Sequence, residues 1–207
     1  LNYVDRQMIA TMKQSMMPDF AELNSAENFG ILMAIFLWIY AFMSPVSGII
    51  ADRVNRKWLI IGSLFIFSAV TLLMGYAKTF DQLYVLRALM GVSEAFYMPT
   101  AMAMIVDYHQ GKNRSLAVGI HMTGTYLGQA MGGFGAIFST NFSWQTTFHV
   151  FGLIGTLYSI VLMIFLKEKR NDEDEQLVRG TFVQEFAESF KGMKTLLGSI
   201  SFWVILF

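Results

Sequence analysis

The sequence predicts an all-α membrane protein, a bundle of helices that crosses a bilayer repeatedly, and three observations carry that prediction. Hydrophobic residues make up 55% of the 207 positions and charged residues only 14%, against about a quarter charged in ordinary soluble domains. Mean hydropathy is +0.48. Apolar runs of about 20 residues, the length a helix needs to cross hydrocarbon, recur along the chain between short loops.

Taken in order, residues 2–17 form a shorter, charged first helix that ends at Pro18, and complete spans follow at 29–50, 58–77, 83–106, 116–138 and 147–166. The run from Ser201 reads as the start of a seventh helix. The chain opens on Leu1 and stops at Phe207 inside an apolar run, which reads as a piece of something longer. The expected organisation is a six-helix bundle over 1–166, a linker over 167–200 and the beginning of a further helix over 201–207.

Lys and Arg concentrate in alternate loops, as the positive-inside rule requires of cytoplasmic ones. Arg53, Arg56 and Lys57 follow the second helix, Lys112 and Arg114 the fourth, and Lys167, Lys169, Arg170, Arg179, Lys191 and Lys194 the sixth. The opposite loops together hold a single lysine, Lys78. Loops 51–57, 107–115 and 167–200 are therefore expected on the cytoplasmic side, in a bacterial inner (plasma) membrane. Within the linker, Phe182, Phe186, Phe190 and Met193 recur at helical spacing, the pattern of an amphipathic helix lying on the membrane surface or packed on the bundle.

Composition also excludes. Fifteen basic and fifteen acidic residues cancel, which gives no sign of a nucleic-acid partner, and the absence of cysteine removes disulfides and thiolate chemistry. His109, His121 and His149 are scattered without the spacing of metal ligands. Neither a phosphate-cradling glycine loop nor a nucleophile elbow occurs, so no cofactor, ATP-driven step or enzymatic chemistry is expected.

What remains is a set of ionisable residues within the spans, each costing several kcal/mol at bilayer depth unless it meets a partner or a watery cavity. Asp5, Arg6, Arg87 and Glu94 are these residues. Arg87 and Glu94 lie two turns apart on one face, about 10 Å along the axis, with Gly91 between them leaving room for an approaching group. Arg6 offers a guanidinium fork suited to a carboxylate or phosphate. Glu94 and Asp5 are the candidates to carry a proton, and Arg87 is expected to pair with one of these acids in one conformational state and release it in another. Static buried ion pairs holding the first helix to the fourth are the alternative. Lys13 is expected to snorkel to the interface.

The stretch "GIIADRVNRKWL", Gly48 to Leu59, resembles the loop pattern of the major facilitator superfamily. There Gly48 would permit close helix approach, and Asp52, Arg53, Arg56 and Lys57 would form a gating charge network. Asn55 stands where Gly is common in the family, a departure shared with spinster-like members. "RALMGVSEAFYMPT" from Arg87, "NYVDR" from Asn2, "WIYA" from Trp38 and "FSWQTTFHVFGLIG" from Phe142 are similar to the anion:cation symporters and to spinster-type lipid transporters.

This resemblance implies the amino-terminal half of a twelve-helix transporter, built from two three-helix repeats of inverted topology, with its solute site shared with a missing carboxy-terminal half. It also implies that Tyr3, Tyr40, Thr125, Tyr126 and Gln129 contribute polar groups to the cavity beside Arg6. Sugar-acid members often carry Gln where Thr125 stands. Gly124, Gly128, Gly132 and Gly133 match the fifth-helix glycine motif and are expected to pack helices closely. The implied function is secondary active transport by alternating access, as proton-coupled symport of a small organic anion such as a sugar acid or carboxylate. A spinster-like carrier of lysolipid or another amphipathic anion is the first alternative. A non-transporting membrane receptor or scaffold is the other.

Overall fold

A computed structural model describes residues 2–109, 111 and 113–167, together with the isolated positions 191, 192, 195 and 198. Lys112, nearly all of the linker over 167–200, and 201–207 lie outside the described residues.

Seven helices follow one another among the described residues: α1 (Asn2–Met16), α2 (Ala26–Arg53), α3 (Arg56–Met74), α4 (Phe80–Tyr108), α5 (Asn113–Met131), α6 (Phe134–Asn141) and α7 (Trp144–Phe165). The loops that precede α2, α3, α4 and α7 each supply a cap. Ser25 accepts a hydrogen bond from Asn28 N, Asn55 from Trp58 N, Thr79 from Gln82 N and Ser143 from Thr146 N. Such side chains satisfy backbone N–H groups that the first turn leaves without partners. Asn55, the departure from the family's glycine, is thereby explained as the residue that starts α3.

Four helices, α2, α3, α4 and α7, are long and apolar enough to cross a membrane. The fifth expected span, 116–138, is corrected: it is divided between α5 and α6 at Gly132 and Gly133. There the bonding tightens to three-residue steps, with Gly133 N donating to Ala130 O at 3.2 Å and Gly135 N to Gly132 O at 3.1 Å. Thr11 of α1 lies against this break, its Oγ1 3.0 Å from Gly132 O and 2.9 Å from Met8 O.

α2 packs on α4, α1 packs on α5 and α6, and α3 packs on α7 and α4. Exchanging the first three helices with the last three, α5 and α6 counting as one, turns the α1–α5 contact into α4–α2 and leaves α3–α7 unchanged. This is the relation expected of two inverted three-helix repeats. The seams are made by small residues. A Cβ at Gly132 would stand 2.4 Å from Gln7 Cβ, and one at Gly152 would stand 2.5 Å from Leu72 N. Side chains larger than hydrogen are excluded there, so backbones approach closely.

The main apolar core gathers Met8, Met12, Met16, Phe20, Leu32, Phe36, Phe67, Met74, Leu83 and Phe148. These positions fall in the second half of α1 and α3 and the first half of α2, α4 and α7, so the core fills the end of the bundle away from Arg53–Lys57. Among the described residues a small cluster of Ile60, Ala101 and Met104 occupies the basic end. That asymmetry leaves room for a cavity of about 700 Å³ on the basic side of the charged layer.

Candidate functional site

All four ionisable residues singled out within the spans converge between α1, α2 and α4. Asp5, Arg87 and Glu94 are buried, at 0%, 1% and 1% exposure, and Arg6 is half-buried. The two guanidiniums meet on one ring: Arg6 Cζ lies 4.7 Å and Arg87 Cζ 4.9 Å from the centre of Phe36. Arg6 also lies 5.9 Å from the Tyr3 ring, and Phe36 stacks on Tyr40 with 6.3 Å between centroids. A cation over an aromatic face is stabilised by about 0.5–2 kcal/mol, enough to hold each guanidinium in place but not to neutralise it.

Arg87 is held by the backbone. Its Nη2 donates to Arg6 O at 3.3 Å and approaches Met33 Sδ at 3.7 Å, while Nε and Nη1 have no hydrogen-bond partner among the described residues. It pairs with neither acid in this structure, as in the released arrangement. The cause is the register of α1 against α4, which sets the carbonyl of Arg6 where a carboxylate was expected. Among the described residues no ion pair joins α1 to α4. Both oxygens of Asp5 lack a partner among the described residues, and Glu94 accepts one hydrogen bond, from Asn2 Nδ2 to Oε2 at 2.9 Å.

The space expected at Gly91 is taken by α2 itself. A Cβ there would stand 2.7 Å from Phe36 O and 3.2 Å from Ile39 Cβ. Gly91 thus seats Phe36 against α4, and through Phe36 the two arginines are brought together.

The polar residues implied for the cavity divide. Tyr3 and Thr125 line the 700 Å³ cavity with Asn2, Tyr97, His121 and Tyr158. Thr125 is buried and donates to Met122 O at 2.7 Å. Tyr40 stands apart on the Phe36 stack, and Tyr126 and Gln129 are exposed on α5. Arg6, Asp5, Arg87 and Glu94 do not line this cavity; Asn2 joins it to the charged layer. Gly124, open on its Cβ side, also lines the cavity, whereas Gly128 packs on Tyr3.

At the basic end Arg56 is ion-paired with Asp107 of α4 and, at 3.7 Å, with Asp52. Lys57 Nζ lies 5.5 Å from the Trp58 ring. A Cβ at Gly48 would meet nothing within 4 Å, so no close approach is made there among the described residues. At the opposite end Asp19 Oδ2 accepts hydrogen bonds from Trp144 Nε1 at 2.6 Å and Gln145 Nε2 at 3.1 Å, and Phe20 packs on Trp144. Lys13 lies over Phe29, its Nζ 4.5 Å from the ring centre.

Sequence reasoning missed Asn2, Phe36 and Asp107. Asn2 carried a signal, a polar residue one turn before Asp5 and Arg6 on the same helix. Asp107 is 51 residues from Arg56, and nothing local links the two. Phe36 is one apolar residue among many in α2, and only packing distinguishes it.

Comparison with known proteins agrees with this fold. Protein spinster homolog 1 of Xenopus tropicalis is 27% identical over 217 residues, covering 100% of this chain and 41% of its own length. The 4-hydroxybenzoate transporter of Pseudomonas putida is 33% identical over 142 residues, covering 68% of this chain and 32% of its own. A crystal structure of a bacterial homologue of the human lysosomal transporter spinster, inward-facing and occupied, superposes with a TM-score of 0.73 at 26% identity, over 83% of this chain and 42% of that one. The chain therefore spans less than half the length of these relatives, which are transporters rather than enzymes. The family model for the Major Facilitator Superfamily matches residues 1–207, and the chain belongs to that superfamily.

Proposed function

We propose that the protein is a secondary active transporter that moves a small organic anion with a proton by alternating access. The observation that carries this reading is the pair of guanidiniums on Phe36 with no acid paired to either among the described residues. Two like charges held together in a low dielectric repel, and an anion between them relieves both. Arg6, half-buried, is the reachable partner for the solute's carboxylate, and Arg87 supports it from behind. Tyr3, Tyr40, Thr125, Tyr126 and Gln129 supply hydrogen bonds to the rest of the solute, and Glu94, with Asp5, takes the proton. The likeness to a 4-hydroxybenzoate transporter supports a carboxylate.

In this reading the basic end faces the cytoplasm of a bacterial inner (plasma) membrane. The bundle over 1–166 works against a carboxy-terminal six-helix half reached through the linker 167–200 and the seventh helix that begins at 201. Gly48, Asp52, Arg53, Arg56 and Lys57 act at the closing face between the halves. A spinster-like carrier of lysolipid or another amphipathic anion is the second reading, favoured by the likeness to spinster proteins over most of the chain. Reconstitution of the full-length protein in proteoliposomes, with and without a pH gradient, tests both. Gradient-driven uptake of carboxylates supports the first, and uptake of lysolipid alone supports the second. Binding without flux refutes symport and points to a receptor or scaffold.

A further inference from the structure

The carboxyl of Glu94 is half-served. Its Oε2 accepts from Asn2 Nδ2 at 2.9 Å, and Asn2 is itself buried at 5% exposure. Two atoms of this contact remain without hydrogen-bond partners among the described residues: Glu94 Oε1 and Asn2 Oδ1. Buried polar atoms are nearly always satisfied, so this pair is one hydrogen short. A primary amide and a carboxylic acid are complementary, since the amide N–H bonds the acid's carbonyl and the acid O–H bonds the amide's carbonyl, closing a ring. A carboxylate makes only the first of these bonds, because both partners would otherwise present lone pairs.

We propose that Asn2 is a positioning residue that reads the protonation of Glu94. A proton arriving on Oε1 gives an O–H that donates to Asn2 Oδ1, and α1 is then held to α4 by two hydrogen bonds in place of one. No bond other than O–H forms, and the proton leaves by the same atom. This inference rests on the reading of Glu94 as the proton carrier and gives that carrier a means of reaching the solute. Arg6 lies one turn beyond Asn2 on α1, so tightening the Asn2–Glu94 contact bears on the helix that holds the anion's anchor. Asn2 also lines the 700 Å³ cavity, which brings a solvent-sized space to the edge of the pair.

The titratable groups that face Glu94 are Tyr3, Asp5 and Arg6 on α1 and Tyr97 on α4. Behind them stand Arg87 on α4, Tyr40 on α2, His121 on α5 and Tyr158 on α7. Their contributions are removed by comparing every titration with Glu94→Gln.

The test is difference infrared spectroscopy of the full-length protein in lipid, between alkaline and acid pH. A carboxyl band that appears on acidification and is missing in Glu94→Gln belongs to Glu94. In Asn2→Leu that band is expected at higher frequency, as for a carboxyl without hydrogen bonds, and an unmoved band overturns the inference. If Asn2→Leu does not accumulate, Asn2→Asp keeps the shape and turns the contact into two carboxyls, expected to titrate as one coupled pair. Independent titration of the two overturns the inference equally. This chain has no cysteine, so once any cysteine elsewhere in the full-length protein is replaced, a cysteine pair placed on α1 and α4 reports their contact directly. Its cross-linking is expected to differ about tenfold between acid and alkaline pH, the weight of one hydrogen bond to a charged or acidic group, and to lose that difference in Asn2→Leu. If no pH-dependent band is missing in Glu94→Gln, the proton role of Glu94 falls and this inference falls with it; a Glu94 band indifferent to Asn2 removes the inference alone.

Discussion

Two sets of charges in this bundle are treated in opposite ways. At the basic end Arg56 has Asp107 and Asp52 as partners, and the acids and bases there neutralise one another across α2, α3 and α4. In the middle of the bundle Arg6 and Arg87 share a ring, while Asp5 and Glu94 stand buried with no ion pair among the described residues. Paired charges of the first kind bind helices together. Charges left uncompensated inside a membrane bundle cost several kcal/mol each, and such a cost is retained where something mobile, a solute or a proton, completes the set. In the proposed reading, the contrast separates groups that fix the structure from groups that act on cargo.

The comparison breaks most sharply at Arg6. Arg6→Ala in the full-length protein is expected to weaken binding of a carboxylate by about a hundredfold or more, as removal of a buried charged hydrogen-bond partner does. Equilibrium binding across a panel of carboxylates measures it, and an unchanged affinity moves the anion site elsewhere. Glu94→Gln comes next. Exchange of solute across proteoliposomes is expected to persist while accumulation driven by a pH gradient is lost; accumulation that still follows the gradient places the proton on another group.

Gly91→Ala sharpens the comparison from the side of packing. The added methyl meets Phe36 O at 2.7 Å, and forcing α2 from α4 is expected to cost about 1–3 kcal/mol, read as a fall in Tm in detergent. It should also weaken carboxylate binding, because Phe36 aligns both guanidiniums. The smallest effect belongs to the basic end. Arg56→Gln is expected to cost about 1 kcal/mol of stability, and Asp107→Asn added to it nothing further, as a double-mutant cycle reports for a partly exposed pair. Carboxylate affinity of the isolated binding step should stay constant in both variants.

The fold was largely legible because hydropathy and loop charge are local signals. Runs of about 20 apolar residues mark a spanning helix without any knowledge of its neighbours, and α2, α3, α4 and α7 answer to them. The break between α5 and α6 was less legible, since Gly132 and Gly133 advertise close packing whether or not the helix bends. The break lies where Gln7 and Thr11 of α1 meet Gly132, a contact far off in sequence. Within the site, Asp5, Arg6, Arg87 and Glu94 were visible because ionisable residues are rare at that depth. Their partners were not. Phe36 is an ordinary apolar residue until α2 is seated on Gly91, and the link between Asn2 and Glu94 spans 92 positions.

The anchorage of α1 through Asp19 and Phe20 to Trp144 and Gln145 has a mechanical consequence. The far end of α1 is thereby tethered to α7, while the stretch carrying Asn2, Asp5 and Arg6 is seated on α4 and α5. A shift of α1 against α4 would thus be opposed at its root by α7.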